Sequence, residues 1–143
     1  MKLEPGQEAT RSLTVTAEHV RAYAELTGDY NPLHFDEPFA AATRFGRLVA
    51  QGGITTGLLH ALVAMDMPGP GTVFLSQDWR FTAPAYIGDT ITARARVASV
   101  HDSKPVCRLE VEVRRDDGET LLVGEAWCYT FSGPAPSASG SAR

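Results

Sequence analysis

Gly52-Gly53-Ile54-Thr55-Thr56-Gly57-Leu58-Leu59-His60-Ala61-Leu62-Val63-Ala64-Met65 carries no charged residue and is apolar nearly all round. A helix of that pattern has no face to offer water, which predicts an element enclosed by the rest of the chain. It is too short for a bilayer, which takes about 20 apolar residues, and Pro68-Gly69-Pro70-Gly71 ends it. From Thr72 the period changes from helical to alternating. Val73, Leu75, Gln77, Trp79 and Phe81 share one phase, as do Ile91, Ala93, Ala95 and Val97, then Cys107, Leu109, Val111 and Val113, then Leu121, Val123, Trp127, Tyr129 and Phe131. These are four strands, parted by Pro84 to Asp89, His101 to Pro105 and the turn Asp116-Asp117-Gly118, and antiparallel pairing with one buried face is the expectation.

Ahead of the apolar helix, Thr10 to Val15 predicts a strand. Thr16 then caps a helix with Val20, Tyr23, Ala24 and Leu26 at helical spacing, and Gly28 ends it. Asp36 followed by Pro38 opens a second short helix that runs to Thr43. One buried helix, a four-stranded meander and one strand in front make an α+β pattern in which a curved antiparallel sheet wraps a central helix. Its leftover sheet edges predict a homodimer paired across a two-fold axis. Residues 1–132 make up that one domain, and the Ser, Gly, Pro, Ala and Arg of residues 133–143 predict a disordered tail.

The 143 residues are 43% hydrophobic and 21% charged, proportions of a globular domain that needs no disulfide or metal to fold. Thirteen Lys and Arg against 17 Asp and Glu give a net charge of -4 with no basic stripe, which speaks against a nucleic-acid partner. No run has the length of a membrane span and Met1 to Gly6 holds no apolar leader, so the expected compartment is the cytoplasm, with no membrane partner. Cys107 and Cys128 then read as reduced core side chains.

Leu26-Thr27-Gly28-Asp29-Tyr30-Asn31-Pro32-Leu33-His34-Phe35-Asp36 sets a carboxylate and an imidazole five residues apart in a loop punctuated by Gly and Pro. Two readings stand. Asp29 and His34 converge on one water and divide proton removal from proton delivery, or Asp29 and Asn31 cap turns while His34 lies at the surface. An EF-hand loop opening at Asp29 lacks its ligands, since Leu33, His34 and Ala40 stand where oxygen, Gly and Glu are required. His34 and Asp36 have no second His cluster to complete a zinc site, and no Walker loop, dinucleotide fingerprint or G-x-S-x-G elbow occurs. Gly52 and Gly53 also have two readings, backbone N–H groups open to a developing oxyanion or close packing where the chain enters the core. His60 lies on the same helical face as Gly53, Thr56, Gly57 and Ala64, and a buried, hydrogen-bonded core histidine is the expectation there.

Tyr23 to His34, with its G-D-x-N-P-x-H core, resembles the signature of the MaoC-like, (R)-specific enoyl-CoA hydratases of the hot-dog fold. Phe45 to Gly53, Pro70 to Gln77 and Phe81 to Ile91 extend the resemblance over most of residues 10–131. It implies reversible syn hydration of a trans-2-enoyl thioester, with Asp29 and His34 as the catalytic pair. Asn31 would set the loop, and the Gly52 amide would hold the thioester oxygen. Where many members carry His before that glycine, this chain has Gln51, which does not titrate and is expected to position substrate. The resemblance implies no metal, nucleotide or flavin cofactor. It leaves open coenzyme A or an acyl carrier protein as the thioester's handle, with thioesterase and non-catalytic acyl-binding readings beside hydration.

Overall fold

The computed structural model describes residues 2–133. Strands β1 (Glu8–Thr14), β2 (Thr72–Phe81), β3 (Thr90–Val100), β4 (Val106–Arg115) and β5 (Thr120–Thr130) form one antiparallel sheet in the order β1-β3-β4-β5-β2. In β3 and β4 only one phase is apolar, and it turns inward. Ile91, Ala93, Ala95, Val97, Leu109 and Val113 are all fully buried, while the other phase forms a ladder of ion pairs such as Arg94–Glu112 and Arg96–Glu110. Ala93 and Ala95 keep the middle of β3 shallow, and helix α4 (Gly52–Ala61) packs there against β1, β3 and β4. One π-helical turn, Leu62–Asp66, continues α4 and is tied to β1 by an Arg11–Asp66 ion pair of 3.0 Å. This is the hot-dog architecture. Between β1 and α4 lie α1 (Ala17–Thr27), α2 (Pro32–Phe35) and α3 (Glu37–Ala41).

Four expectations need correction. The last four strands are not a simple meander: β2 lies at the far edge beside β5, and it is β1 that pairs with β3. The sheet covers only one side of α4: Ile54, Leu58 and Leu59 are buried, but Gly52, Gly57 and His60 are exposed and Met65 is 61% exposed. In β2 the pairing with β5 slips between Phe74 and Ser76, so the phase changes sides at Leu75. Phe74 and Trp79 pack on the core, whereas Val73 and Leu75 face outward. In β5 both phases are apolar, and the inner one is the phase of smaller side chains, with Leu122, Ala126 and Cys128 opposite Val113, Leu109 and Cys107. Trp127 and Phe131 are left outside. Alternation reports that a strand has two faces but selects between them only when one face is polar. The tail expectation lies, from residue 134 on, outside the described residues.

No helix among the described residues is long and apolar enough to cross a membrane. Cys107 and Cys128 are free thiols directly across β4 and β5. A hydrogen bond with Cys107, together with burial, holds the Cys128 thiol above its ordinary pKa.

Candidate active site

Thr16 caps α1 by accepting from the His19 amide, and His19 Nδ1 accepts from the Thr16 amide in return. Gly28, at φ 85°, takes the left-handed turn that ends α1, a conformation glycine adopts without strain. A chain of side-chain caps then builds the loop. Thr27 Oγ1 accepts from the Asp29 amide at 3.2 Å, Asp29 Oδ1 from the Asn31 amide at 3.3 Å, and Asn31 Oδ1 from the Leu33 amide at 3.0 Å. Asn31 is thereby the N-cap of α2, with Pro32 in its first turn. That short turn, not anticipated from sequence, aims His34 into the molecule, where it is 8% exposed.

His34 Nδ1 lies 2.7 Å from the Val49 carbonyl oxygen. A carbonyl only accepts, so Nδ1 carries the hydrogen of this bond, and the neutral ring keeps its lone pair on Nε2. Nε2 faces Asp29 Oδ1 at 3.7 Å. That separation is too long for a direct hydrogen bond, and one oxygen placed beside the pair reaches both atoms. The Asp29 side chain is 41% exposed and that of His34 is 9%, so the pair lies where bulk water meets the protein interior. The sequence-predicted pair is therefore brought together. Asp36 turns away from it to cap α3 at the Phe39 amide, 3.0 Å off, and among the described residues no group of three His, Cys, Asp or Glu side chains converges on one point.

The Val49 carbonyl could not have been picked out from sequence, since any residue supplies one. Val49 is held from both sides. Its amide donates to the Leu33 carbonyl at 3.1 Å, it forms a β-bridge with Tyr86, and Ala50 N donates to the Ala85 carbonyl at 2.8 Å. Gly52, three residues beyond Val49, opens α4 and is exposed. The first N–H groups of a helix have no partner within it, and Gln51 at the N-cap makes no side-chain bond to them. The two glycines divide the two readings offered above. Gly53 serves packing, because the Tyr23 hydroxyl occupies the space that a Cβ there would fill. Gly52 has the ring of Phe81 beside its Cα, 3.1 Å from where a Cβ would sit, and its amide is free of any cap.

Gln51 differs from its expected place. It is 1% exposed, its Nε2 donates to the Val20 carbonyl of α1 at 2.9 Å, and Oε1 has no partner among the described residues. It ties α1 to the entry of α4 and does not face an open site. His60 differs too: it is exposed on the uncovered side of α4, 2.9 Å from Gln77 and with its ring 4.9 Å from that of Phe74.

Residues 2–119 match the model of the MaoC like domain family. The chain is 36% identical over 124 residues to an (R)-specific enoyl-CoA hydratase of Aeromonas caviae, covering 87% of this chain and 92% of that one. It is 39% identical over 124 residues to a 3-hydroxybutyryl-CoA dehydratase of Methylorubrum extorquens, covering 87% and 78%. Among solved structures it superposes on the (R)-hydratase from A. caviae involved in PHA biosynthesis with a TM-score of 0.86 and 35% identity, over 90% of this chain and 98% of that one.

Proposed function

The chain belongs to the MaoC-like family, and from that membership we propose that it adds water reversibly to a trans-2-enoyl thioester, giving the (R)-3-hydroxyacyl thioester. It is a hydro-lyase, and acyl-CoA is the substrate class. The observation that carries this reading is the pairing of Asp29 Oδ1 with the lone-pair nitrogen of His34 across 3.7 Å. Both are proton acceptors, so a water lying between them gives a hydrogen to each and turns its own lone pairs outward. As that oxygen bonds to C3, one O–H bond breaks toward the pair, and the C2=C3 electrons move through the carbonyl onto the thioester oxygen. The Gly52 N–H receives that negative charge, an interaction worth about 3 kcal/mol in the barrier. When the carbonyl re-forms, C2 takes the proton back from the same pair. One face supplies both oxygen and proton, hence syn addition.

Proton transfer and carbonyl polarisation are all this reaction needs, so we assign no metal or cofactor to it. Run in reverse, the same steps dehydrate a 3-hydroxyacyl thioester, the direction named in the M. extorquens relative. The assembly proposed is a homodimer, because β2 is a sheet edge whose Val73, Leu75 and Phe81 are 46%, 57% and 54% exposed, and one side of α4 is uncovered as well. Light scattering should give twice the chain mass. The compartment proposed is the cytoplasm, where Cys107 and Cys128 stay reduced though directly opposed. Mass spectrometry of enoyl-CoA incubated with the protein tests the reaction. A gain of one water with the thioester intact is expected, and free CoA with the enoic acid would instead mean hydrolysis.

A further inference from the structure

Most of the sheet's arginines are neutralised locally. Arg11, Arg94, Arg96, Arg108, Arg114 and Arg115 each face a carboxylate. Arg44 and Arg47, in the segment between α3 and α4, have no carboxylate partner among the described residues, as is also true of Arg21 on α1 and Arg80 on β2. Both are exposed, and both are held by aromatic rings. The Arg47 guanidinium lies 3.9 Å from the centre of the Tyr86 ring, and that of Arg44 lies 5.5 Å from the centre of Phe45. Tyr86 is itself fixed: its hydroxyl donates to the Phe45 carbonyl at 3.3 Å, its amide donates to Asp89 Oδ2 at 2.8 Å, and its backbone bridges to Val49. A guanidinium held over a ring face by cation–π attraction keeps N–H groups for a second partner, and a guanidinium fork matches a phosphate.

The position along the chain bounds how far that phosphate lies from the thioester. Arg47 is two residues from Val49, whose carbonyl orients His34, and five from Gly52, whose amide faces the thioester oxygen in the mechanism above. The segment from Arg47 to Gly52 therefore spans at most about 17 Å. An extended pantetheine arm has a similar length, with the thioester at one end and a phosphate at the other. We propose that Arg47, assisted by Arg44, binds the phosphate that ends the pantetheine arm, the phosphate common to coenzyme A and to carrier-protein thioesters. The inference rests on the thioester reading of the active site and adds to it the anchor for the substrate's handle.

The test compares Arg47→Gln and Arg47→Lys with wild type on three enoyl thioesters: CoA, 4′-phosphopantetheine, which keeps only the shared phosphate, and pantetheine, which has none. In wild type, kcat/KM should be higher for 4′-phosphopantetheine than for pantetheine by at least about ten-fold, through KM, and the preference should fade as salt rises. Arg47→Gln should abolish that preference, and Arg47→Lys should retain part of it. A preference that survives Arg47→Gln overturns the site while leaving hydration in place. An Arg47 effect seen with CoA but absent with 4′-phosphopantetheine overturns the assignment to the shared phosphate. A wild type that hydrates none of the three overturns the thioester reading and the anchor with it.

Discussion

The middle of the sheet and the segment between α1 and α4 are held by opposite means. In β3 and β4, side chains such as Ile91, Val97 and Leu109 lose all contact with water, and their positions follow from burial. In the segment that carries Asp29 and His34, the side chains are fixed by hydrogen bonds to the backbone: Thr27 to Asp29, Asp29 to Asn31, Asn31 to Leu33, His34 to Val49 and Gln51 to Val20. Apolar burial is strong but has no direction, so it secures a fold without aiming a nitrogen lone pair. Hydrogen bonds contribute about 1 kcal/mol each and are directional. The two regions should therefore answer mutation differently, with stability changing in one and catalysis in the other.

Leu109→Ala should show the largest change in stability. It opens a cavity under α4 and should lower the free energy of unfolding by about 2–5 kcal/mol, read by urea denaturation, while kcat of the protein that remains folded is kept. Gln51→Met should do the reverse. It removes a buried oxygen without a partner, and Val20 keeps its carbonyl bond within α1, so the urea midpoint should stay level or rise. With the tie between α1 and α4 gone, the Gly52 amide loses its aim and kcat should drop about ten-fold, with KM little changed. A lowered midpoint with intact kcat would place Gln51 with the sheet residues after all.

Smaller effects sharpen the same contrast. Asn31→Ala deletes the cap of α2 and should cost about 1 kcal/mol, with a loss of kcat that Asn31→Asp restores, since a carboxylate can accept from the Leu33 amide. The smallest change is expected on the outer face of the sheet. A hydrogen bond from Arg114, reinforced by Arg94, holds the Glu112 carboxyl below the ordinary carboxylate pKa. Its contribution is complete above the unfolded-state pKa and is lost as pH falls through the folded-state one. Glu112→Gln should remove about 0.5 kcal/mol near neutrality and nothing once both states are protonated, and a stability profile against pH at low salt checks it.

The same contrast explains what could be read from residues alone. β3 and β4 were legible because their outward phase is charged. The inward face of β5 was not, because Val123, Trp127 and Tyr129 make the outer phase look the more apolar beside Gly124, Ala126 and Cys128, while Leu121 and Leu122 are both buried. The exposed side of α4 was hidden for a related reason: an apolar helix says that it must be covered, without saying whether its own chain does the covering. In the site, Asp29, Asn31 and His34 were visible as a motif and Gly52 as one of two equivalent glycines. The Val49 carbonyl, the Tyr23 hydroxyl that claims the space above Gly53, and the inward turn of Gln51 were not, because each depends on which backbone atom or side chain lies opposite in space.

The account depends most on Asp29 and His34 acting as one unit on one water. A double-mutant cycle on enoyl-CoA hydration tests this directly, with Asp29→Asn, His34→Ala and the combined variant each shown to be folded by circular dichroism. Each single substitution should lower kcat by at least about 100-fold, and the double variant should be scarcely slower than the more damaged single one, since groups that act together are lost together. Single variants that keep kcat within a few-fold of wild type, or losses that multiply in the double variant, would contradict it.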